Sequence, residues 1–425
     1  MNRAHKRNLI TFASLVIILS ATFIIGIFIR GYRPDFSNKK LRATGLLSAT
    51  STPRGAQVWI NNKLKTATDQ SLSLSPGQYQ IKIKKPGFSI WQKEITIEKE
   101  VVANANAYLF PVAPDLKALT FTGLVNPHLS PDGTKLIYFL PYKPTSQSLS
   151  PTPQSTPSPT PKQREKIGFW LIDLSEKQLG HSFQPRILVE TKKDFDFQKT
   201  TLQWSPDSKK ILINIPQNTQ ADNEKYFLID LNQSYDFTTP PFLSKSYSEA
   251  EKILNEWQQE EKTAKNQLMN RLVTQLKEIL LNQCQNITFS PDEKKVLYQA
   301  KEDISLPEKF LDEKIIGAST QKENRSLKKD YWYVYDRKED KNFLVLSPEE
   351  NSQISWFPTS RHLLLVNQKK IDIIEYDGHN CTTLYSGPFE EEFVFPFPSG
   401  KQLLILTSLN NNQEQLPNLY SVSLK

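Results

Sequence analysis

A tight turn that is repeated five times constrains the fold of this chain more than any other feature. The first copy reads HLSPDGTKLIYF over residues 128–139, and variants follow at 202–213, 287–298, 354–365 and 394–405. In every copy, three consecutive apolar residues lie five to seven positions after the central proline. A strand that is apolar on both faces predicts a sheet that is covered on both sides. Stacked sheets meet that requirement.

The residues of the turn each favour a reversal of the chain. Pro131 presets φ at about −65° for the second turn position, and Asp132 can hydrogen-bond back to the backbone. Ser130 can cap the turn with its hydroxyl, while Gly133 accepts a positive φ. Ser208 and Glu293 take the glycine position in copies two and three. If that position needs a positive φ, each would cost about 1 kcal/mol.

Further strands follow each turn in a constant order. A second apolar strand comes after every copy and a third after most, as in IGFWLIDL (167–174) and then PRILVET (185–191). The last copy lacks a third strand, and residues 116–123 could supply it, which would close the sheet without exposed edges. Once three inserts are set aside, the repeats lie roughly 40–50 residues apart, the length of a propeller blade. The pattern predicts a β-propeller of about five blades over residues 113–425.

This repeat resembles the TolB-type, WD40-like (PD40) propeller family, whose hallmark is Ser-Pro-Asp-Gly-Lys ahead of an apolar strand. The resemblance covers residues 116–425. Three copies keep Ser-Pro-Asp, and the first and last keep the glycine. The resemblance implies that the apolar strands belong to the blades of one propeller.

Residues 45–112 predict a small antiparallel β-sandwich. Apolar and polar residues alternate through QYQIKIK (78–84), and Pro-Gly turns precede and follow that strand. Period-two patterning with Pro-Gly punctuation is typical of such a sandwich. The stretch resembles the PEGA domain in Pro53-Arg54-Gly55-Ala56, Pro76-Gly77 and Lys85-Pro86-Gly87-Phe88. That resemblance implies a surface module outside the membrane, and the family offers no catalytic residues.

An uncharged apolar run at residues 9–29 predicts a transmembrane helix. Its 21 residues can cross a hydrocarbon core of about 30 Å. The alternative is a cleaved signal peptide, but a small-residue cleavage site does not follow the run. Basic residues flank both ends, so charge alone does not set the orientation. The PEGA resemblance favours a cytoplasmic tail at 1–8, a linker at 30–44 and extracytoplasmic C-terminal domains in a single-pass membrane protein.

The charge distribution argues against nucleic acid as a partner. The net charge is +8, but residues 1–42 hold eight basic side chains and one acidic one. The remaining residues carry 45 basic and 44 acidic side chains. A balanced globular part offers no basic face to phosphates. The two cysteines, Cys284 and Cys381, predict neither a disulfide framework nor a zinc site.

The three inserts differ in character. Residues 142–164 are rich in Pro, Ser and Thr and predict a disordered loop. Residues 247–284 predict a helix or a helical hairpin that lies on the propeller, or alternatively a docking arm for a partner. The apolar face of this insertion comprises Leu254, Trp257, Ala264, Leu268, Leu272, Leu276 and Ile279. Residues 302–329 form a polar stretch.

A search for catalytic, cofactor and metal residues selects none. Gly-x-Ser-x-Gly, His-Glu-x-x-His and phosphate-binding glycine loops are absent from the sequence. The segment 230–236 weakly resembles a calcium loop but lacks its Gly and Glu. Tyr331, Tyr333 and Tyr335 share one face of a strand and could form a ligand platform, although packing between blades is the stronger interpretation. His362 stands where other copies have Lys, which predicts a surface position.

These observations favour a membrane-anchored envelope protein that binds or scaffolds through its propeller without catalysis. The expected partners are the membrane, through residues 9–29, and a protein or a cell-envelope polymer. The alternative function is a propeller-type hydrolase or lyase with a dispersed active site in the central channel. The sequence indicates neither the ligand nor the oligomeric state.

Overall fold

A computed structural model describes most of the chain as two compact units. The described residues are 3–29, 32–35, 40–141, 167–175, 185–190, 200–215, 225–231, 244–311, 315–348, 353–390, 393–409 and 416–425. Unit 1 comprises Met1–Ala113, Glu278–Asn351 and Ile373–Leu384, and unit 2 comprises Pro114–Lys277, Ser352–Asp372 and Tyr385–Lys425. The predicted loop 142–164 and most of the segment 230–236 lie outside the described residues.

Unit 1 begins with a helix and a short hairpin. Helix α1 (Arg3–Ile29) contains the run predicted at 9–29. Strands β1 (Tyr32–Asp35) and β2 (Lys40–Ala43) pair antiparallel after it. Within the residues that the structure describes, no helix is both long enough and apolar enough to cross a membrane. The structure therefore does not support the transmembrane helix predicted for residues 9–29.

Seven strands form the predicted sandwich. They are β3 (Gly45–Thr52), β4 (Gln57–Ile60), β5 (Lys63–Ala67), β6 (Gln70–Leu74), β7 (Gly77–Lys84), β8 (Trp91–Ile97) and β9 (Val102–Tyr108). One sheet has the order β6-β3-β9 and the other β5-β4-β7-β8. The prediction of an antiparallel sandwich was wrong for one strand pair, because β3 and β9 run parallel. Alternation fixes which face a side chain takes, but not which strands become neighbours.

The sandwich core follows the predicted alternation. Ile81 and Ile83 of β7 are fully buried, and they pack in one cluster with Val58 and Leu47 from both sheets. An Asn-Asn turn joins β4 and β5, with φ of 48° at Asn61 and 64° at Asn62. Two successive positive φ angles are typical of a type I′ turn, whose twist matches that of the flanking strands.

The remaining elements continue in chain order. They are β10 (Leu116–Ala118), β11 (Val125–Leu129), β12 (Lys135–Leu140), β13 (Gly168–Asp173), β14 (Arg186–Glu190), β15 (Thr201–Trp204), β16 (Lys210–Ile215), β17 (Lys225–Asp230), β18 (Ser244–Lys245), α2 (Tyr247–Asn270), α3 (Thr274–Gln283), β19 (Cys284–Phe289), β20 (Lys295–Ala300), β21 (Ile304–Ser305), β22 (Ser326–Leu327), β23 (Trp332–Asp336), β24 (Lys341–Leu346), β25 (Gln353–Trp356), β26 (His362–Asn367), β27 (Lys370–Glu375), β28 (Thr382–Tyr385), β29 (Val394–Pro396), β30 (Gln402–Thr407) and β31 (Asn418–Ser423).

All of these strands except β21 and β22, which pair with each other, form five four-stranded sheets, as the repeat predicts. Four sheets have the orders β11-β12-β13-β14, β15-β16-β17-β18, β19-β20-β23-β24 and β25-β26-β27-β28. The fifth has the order β10-β31-β30-β29, so a strand from residues 116–123 completes the last repeat, as predicted. Four-stranded antiparallel sheets with this closure have the strand order of propeller blades. Each Pro-centred turn joins the first and second strands of its blade.

The strands after the turns are buried on both faces within unit 2. In β12, Leu136 and Tyr138 pack with Leu404 of the last blade. Ile137 and Phe139, on the opposite face, pack with Ile211 and other residues of the second blade. The sheet is therefore covered on both sides, which explains why the sequence runs apolar without alternation.

The helical insertion comprises two helices, α2 and α3, and ends one residue earlier than predicted because Cys284 begins β19. Ser246 caps α2 through a capping box with Glu249. Ala250 packs against Leu212 and Tyr226 of the second blade. Residues 258–267 are exposed on all sides, including Ala264, which the sequence placed on the apolar face.

Candidate functional site

Unit 1 holds a buried cluster of charged residues between β8 and the turn after β27, which we call the joint: Trp91, Lys93, Glu375, Asp377, His379 and Asn380. The ammonium of Lys93 lies 2.5 Å from Glu375 Oε2 and also contacts the carboxylate of Asp377. The indole N–H of Trp91 donates to Glu375 Oε1. The side chain of Asp377 is 1% exposed. Every buried charge in the joint therefore has an opposite charge or a hydrogen-bond partner, as burial requires.

The joint shifts the pKa values of its groups towards their charged forms. Burial by itself would lower the pKa of Lys93, but the carboxylates of Asp377 and Glu375 outweigh it, and the pKa is raised. Burial would raise the pKa of Asp377, but hydrogen bonding from His379 and the charge of Lys93 lower it to about 2. The hydrogen bond to Asp377 raises the pKa of His379. The cluster thus acts as an ion-pair network.

Side chains also cover the outer edge of β8. The N–H of Gln92 donates to Asn380 Oδ1 at 2.8 Å, and the N–H of Thr96 donates to Thr320 Oγ1 at 3.2 Å. Between them, Gln321 Nε2 donates to the carbonyl of Glu94 at 2.7 Å. An uncovered edge strand is a template for pairing with another chain. Here three side chains take the place of a neighbouring strand.

A second buried network holds the polar insert 302–329 in place. The guanidinium of Arg325 lies 3.1 Å from Asp340 Oδ1 and 2.9 Å from Glu323 Oε2. Burial would raise the pKa of Asp340, but it accepts backbone N–H groups of Leu311 and Phe310 and its pKa is lowered. These charge-assisted hydrogen bonds fix the position of the insert.

The insert and the sandwich enclose a cleft of about 800 Å³ within unit 1. Thr96, Val101 and Val102 line one wall, and Ile316 and Ser319 line the other. The side chain of Ile316 is 80% exposed. The volume falls within the range of about 300–1,000 Å³ that is typical of ligand sites. We take this cleft as the candidate binding site.

Two charged groups of the cleft already have partners within the chain. Burial raises the pKa of Glu339, which accepts the N–H of Ser319 at 2.9 Å. Arg325 is occupied by its carboxylate partners. Over the described ranges, no group of three His, Cys, Asp or Glu side chains is arranged to hold a metal ion. The cleft offers apolar contacts, backbone groups and carboxylates to a ligand.

The residues singled out from the sequence do not converge on this cleft. Tyr333 and Tyr335 are buried and Tyr331 is half-buried, which favours a packing role over the ligand platform. The surface position predicted for His362 was wrong, because the side chain is 2% exposed and its Nδ1 lies 2.9 Å from Thr359 Oγ1. His362 begins β26, in which the first five residues are buried, and that position outweighs the polarity of the ring.

Sequence reasoning missed the joint and the cleft. Lys93 lies at an alternating position in a strand, as does Lys82. Asp377 and Asn380 lie in a turn of ordinary composition. Their partners are more than 280 residues away along the chain. The only local signal is the density of polar side chains in YDGHN (376–380), which the sequence also uses for turns.

Comparison with known families supports the expected resemblance to the PEGA domain. Residues 44–112 match the PEGA domain family. This confirms the prediction made for residues 45–112 and leaves most of the chain outside the match. No curated protein matches the chain.

Solved structures similar to this chain include proteins of several kinds. TolB from Acinetobacter baumannii is 11% identical with a TM-score of 0.22, and the match covers 82% of this chain and 60% of TolB. Oligogalacturonate lyase from Vibrio parahaemolyticus is 7% identical, covering 81% and 86%, with a TM-score of 0.25. Pyrococcus horikoshii acylaminoacyl peptidase is 12% identical, covering 72% and 39%, with a TM-score of 0.21. TolB is thus among the similar structures, as the repeat predicts, but at these values no residue role transfers.

Proposed function

We propose that the protein is a membrane-anchored, non-enzymatic binding or scaffolding protein of the cell envelope. The observation that carries this proposal is the joint. The ion pairs of Lys93 with Glu375 and Asp377 hold the PEGA domain to the β27–β28 turn. Three side chains also hydrogen-bond to the outer edge of β8. Such an arrangement suits a rigid carrier of binding surfaces, because preorganised loops bind at a lower entropic cost.

The proposed anchor is α1. In its described middle part, apolar side chains such as Phe12, Ile17 and Phe23 are more than 60% exposed. The hydroxyl of Thr22 donates to the carbonyl of Ile18 at 2.9 Å, so this polar group has a partner within the helix. A helix with an exposed apolar surface needs an apolar environment. The PEGA domain after it favours a position of the C-terminal domains outside the cytoplasm.

The anchor and its orientation can be tested with the native cysteines. Cys381 is exposed, whereas Cys284 is buried and its pKa is raised to about 12 by burial. A thiol with so high a pKa holds little thiolate at neutral pH and reacts slowly. We therefore expect a membrane-impermeant maleimide to label Cys381 in intact cells and to leave Cys284 unmodified. The Cys381→Ser variant is the control and should lose the label.

Two results would contradict this part of the proposal. Release of the full chain from membranes by alkaline carbonate would exclude an integral anchor. Labelling of Cys381 only after the cells are permeabilised would place the C-terminal domains in the cytoplasm.

The binding role needs its own experiment. Chemical crosslinking of the full chain in intact membranes should enrich a small set of proteins or envelope polymers. The control is α1 fused to an unrelated globular domain of similar size, which reports bystanders at the same membrane. Recovery of the same set by both chains would contradict a dedicated binding role for the PEGA domain and the propeller.

A further inference from the structure

Blades one to three, numbered by their turns along the chain, carry a lysine and an aspartate at one shared position. The lysine begins the second strand of the blade and the aspartate ends the third, so that the two residues are directly paired. The pairs are Lys135↔Asp173, Lys210↔Asp230 and Lys295↔Asp336. Opposite charges at directly paired positions stabilise neighbouring strands. In blade three, Lys295 Nζ lies 3.5 Å from Asp336 Oδ2.

Blade four departs from this pattern at the lysine. Its second strand, β26, begins with His362, while its third strand, β27, ends with Glu375. In blade five both positions are uncharged, with Gln402 opposite Ser423. Blade four therefore keeps an acid at the shared position without the lysine that accompanies it in blades one to three. A lysine is charged at neutral pH, whereas an ordinary imidazole is mostly neutral.

The PEGA domain supplies the cation that blade four lacks. Lys93 Nζ lies 2.5 Å from Glu375 Oε2 and also contacts the carboxylate of Asp377. The side chains of Lys93 and Glu375 are 10% and 5% exposed. The lysine and the aspartate of blade three are exposed to the same fractions, 10% and 5%. The ion pair made across the joint is thus as buried as the pair made within a blade.

Strand β8 contacts the turn after β27 through three successive residues. The first, Trp91, donates its indole N–H to Glu375 Oε1. The second, Gln92, donates its backbone N–H to Asn380 Oδ1 at 2.8 Å. The third is Lys93, with its ion pairs. A backbone hydrogen bond between two side-chain contacts to charged groups fixes the register of β8 on this turn.

The two carboxylates of the turn are buried and need a cation from another element. His379 Nδ1 lies 3.4 Å from Asp377 Oδ1, within the turn itself. Lys295 of blade three lies over the ring of Tyr376, 4.8 Å from its centroid, but its own carboxylate partner is Asp336. A buried carboxylate that loses its cation is strongly unfavourable. Lys93 of β8 meets this need.

We infer that residues 375–380 form a docking surface specific for strand β8 of the PEGA domain, on which Lys93 takes the place of the lysine that blade four lacks. His362 keeps this surface available, because a lysine at that position would neutralise Glu375 from within the blade. Blade three accommodates a buried lysine at the corresponding position, Lys295. The inference rests on the joint, which also carries the proposed scaffold, and explains why the PEGA domain docks at this turn. It is independent of the membrane anchor and of any external ligand.

The test is a rescue of Lys93→Met by His362→Lys in the full chain in detergent micelles, measured by urea unfolding. We expect the double variant to regain about half of the loss in urea midpoint that Lys93→Met causes, because Glu375 regains a cation whereas Asp377 does not. The matched control combines Lys93→Met with His362→Gln. It copies the uncharged Gln402 of blade five and should regain none of the loss.

Hydrogen exchange of the Gln92 amide separates docking from folding. We expect at least about tenfold faster exchange in Lys93→Met and also in the double variant with His362→Lys, because a lysine returned to the blade does not hold β8. The amides of β7, inside the same sheet, are the internal control and should stay protected. If Lys93→Met does not fold, a folded chain should return with His362→Lys and not with His362→Gln.

Two results would overturn the inference. One is equal stability of the two double variants, and the other is exchange at Gln92 that Lys93→Met leaves unchanged. Neither result would bear on the anchor, which the labelling of Cys381 tests separately.

Discussion

At the scale of single residues, the Pro-centred turns show what a short motif can specify. Ser130 Oγ donates to Asp132 and accepts the N–H of Lys135 at 2.9 Å. Ser205 and Ser290 make the same pair of bonds in copies two and three. The hydroxyl thus closes these three turns, which the sequence predicted only as a possible cap. Copies four and five lack it, and Phe357 and Phe397 there keep the backbone hydrogen bonds alone.

The fourth turn position has a positive φ in all five copies. The angles are 68° at Gly133, 59° at Ser208, 59° at Glu293, 57° at Ser360 and 66° at Gly400. The positive φ on which the predicted cost at Ser208 and Glu293 depends is therefore present. Residues other than glycine store strain here, because the β-carbon is crowded in the left-handed region.

We expect Glu293→Gly to stabilise the fold by about 0.5–1 kcal/mol, because relief of strain exceeds the added entropy of the unfolded chain. The side chain is exposed, and the carbonyl that Arg337 contacts is retained. Urea unfolding measures the change. Ser208→Gly is the comparison and should gain less, because Ser208 Oγ accepts the N–H of Asp132 at 3.1 Å. An equal gain at both sites would contradict this account.

At the scale of elements, the joint is the contact that a single substitution tests best. Lys93→Met removes the cation from between Glu375 and Asp377, which leaves two buried carboxylates without it. Breaking a buried pair in this way costs about 3–5 kcal/mol. We expect a loss of this size in urea unfolding. Lys63→Met, at an exposed position of β5, should change stability by no more than about 0.5 kcal/mol.

The pH dependence of stability follows from the same groups. The pKa of Asp377 is about 2 in the folded chain against about 3.9 when unfolded. The folded state therefore binds fewer protons, and its advantage is present above about pH 4 and lost as the pH falls towards 2. The pKa of His379 is raised, so its contribution is present below about pH 6.5 and lost as the pH rises.

We expect stability to decline by about 2 kcal/mol between about pH 4 and pH 2 through Asp377. Equilibrium unfolding across that range measures the decline. Asp377→Asn should flatten it, although it lowers stability at neutral pH. His379→Gln should remove the decline on the alkaline side and also shorten the acid limb, because the hydrogen bond from His379 helps to lower the pKa of Asp377. An acid limb that is unchanged in Asp377→Asn would contradict the role given to this carboxylate.

Elements also show where sequence reasoning succeeds and fails. Strands and turns were predictable because alternation, Pro-Gly and Asn-Asn are local signals. The parallel pairing of β3 with β9 was not, since each of these two strands would carry the same alternation beside any partner. The joint was not predictable for the same reason. Lys93 looks like any solvent-facing lysine of a strand until a carboxylate from residue 375 or 377 covers it.

At the scale of the whole molecule, the last strand depends on a strand from 300 residues earlier. Within unit 2, β10 pairs with β31 in the register Leu116↔Val422, Lys117↔Ser421 and Ala118↔Tyr420. Strand β31 also pairs with β30 along its whole length. Pairing between strands that are close in sequence therefore does not complete this blade. Both β10 and β31 are needed so that the backbone groups at its edge are hydrogen-bonded.

Removal of residues 419–425 should prevent unit 2 from folding. Leu419, Val422 and Leu424 are at most 1% exposed. Burial of each such side chain contributes about 1.5–3 kcal/mol, so their loss approaches the whole stability of a domain, about 5–15 kcal/mol. Limited proteolysis measures the effect, and we expect β12 and β30 to become cleavable. Removal of Lys425 alone is the control and should leave both strands protected, because its side chain is exposed. If the shorter chain kept the protection of the intact one, β31 would not complete the sheet, and the closure of the last blade by β10 would be wrong.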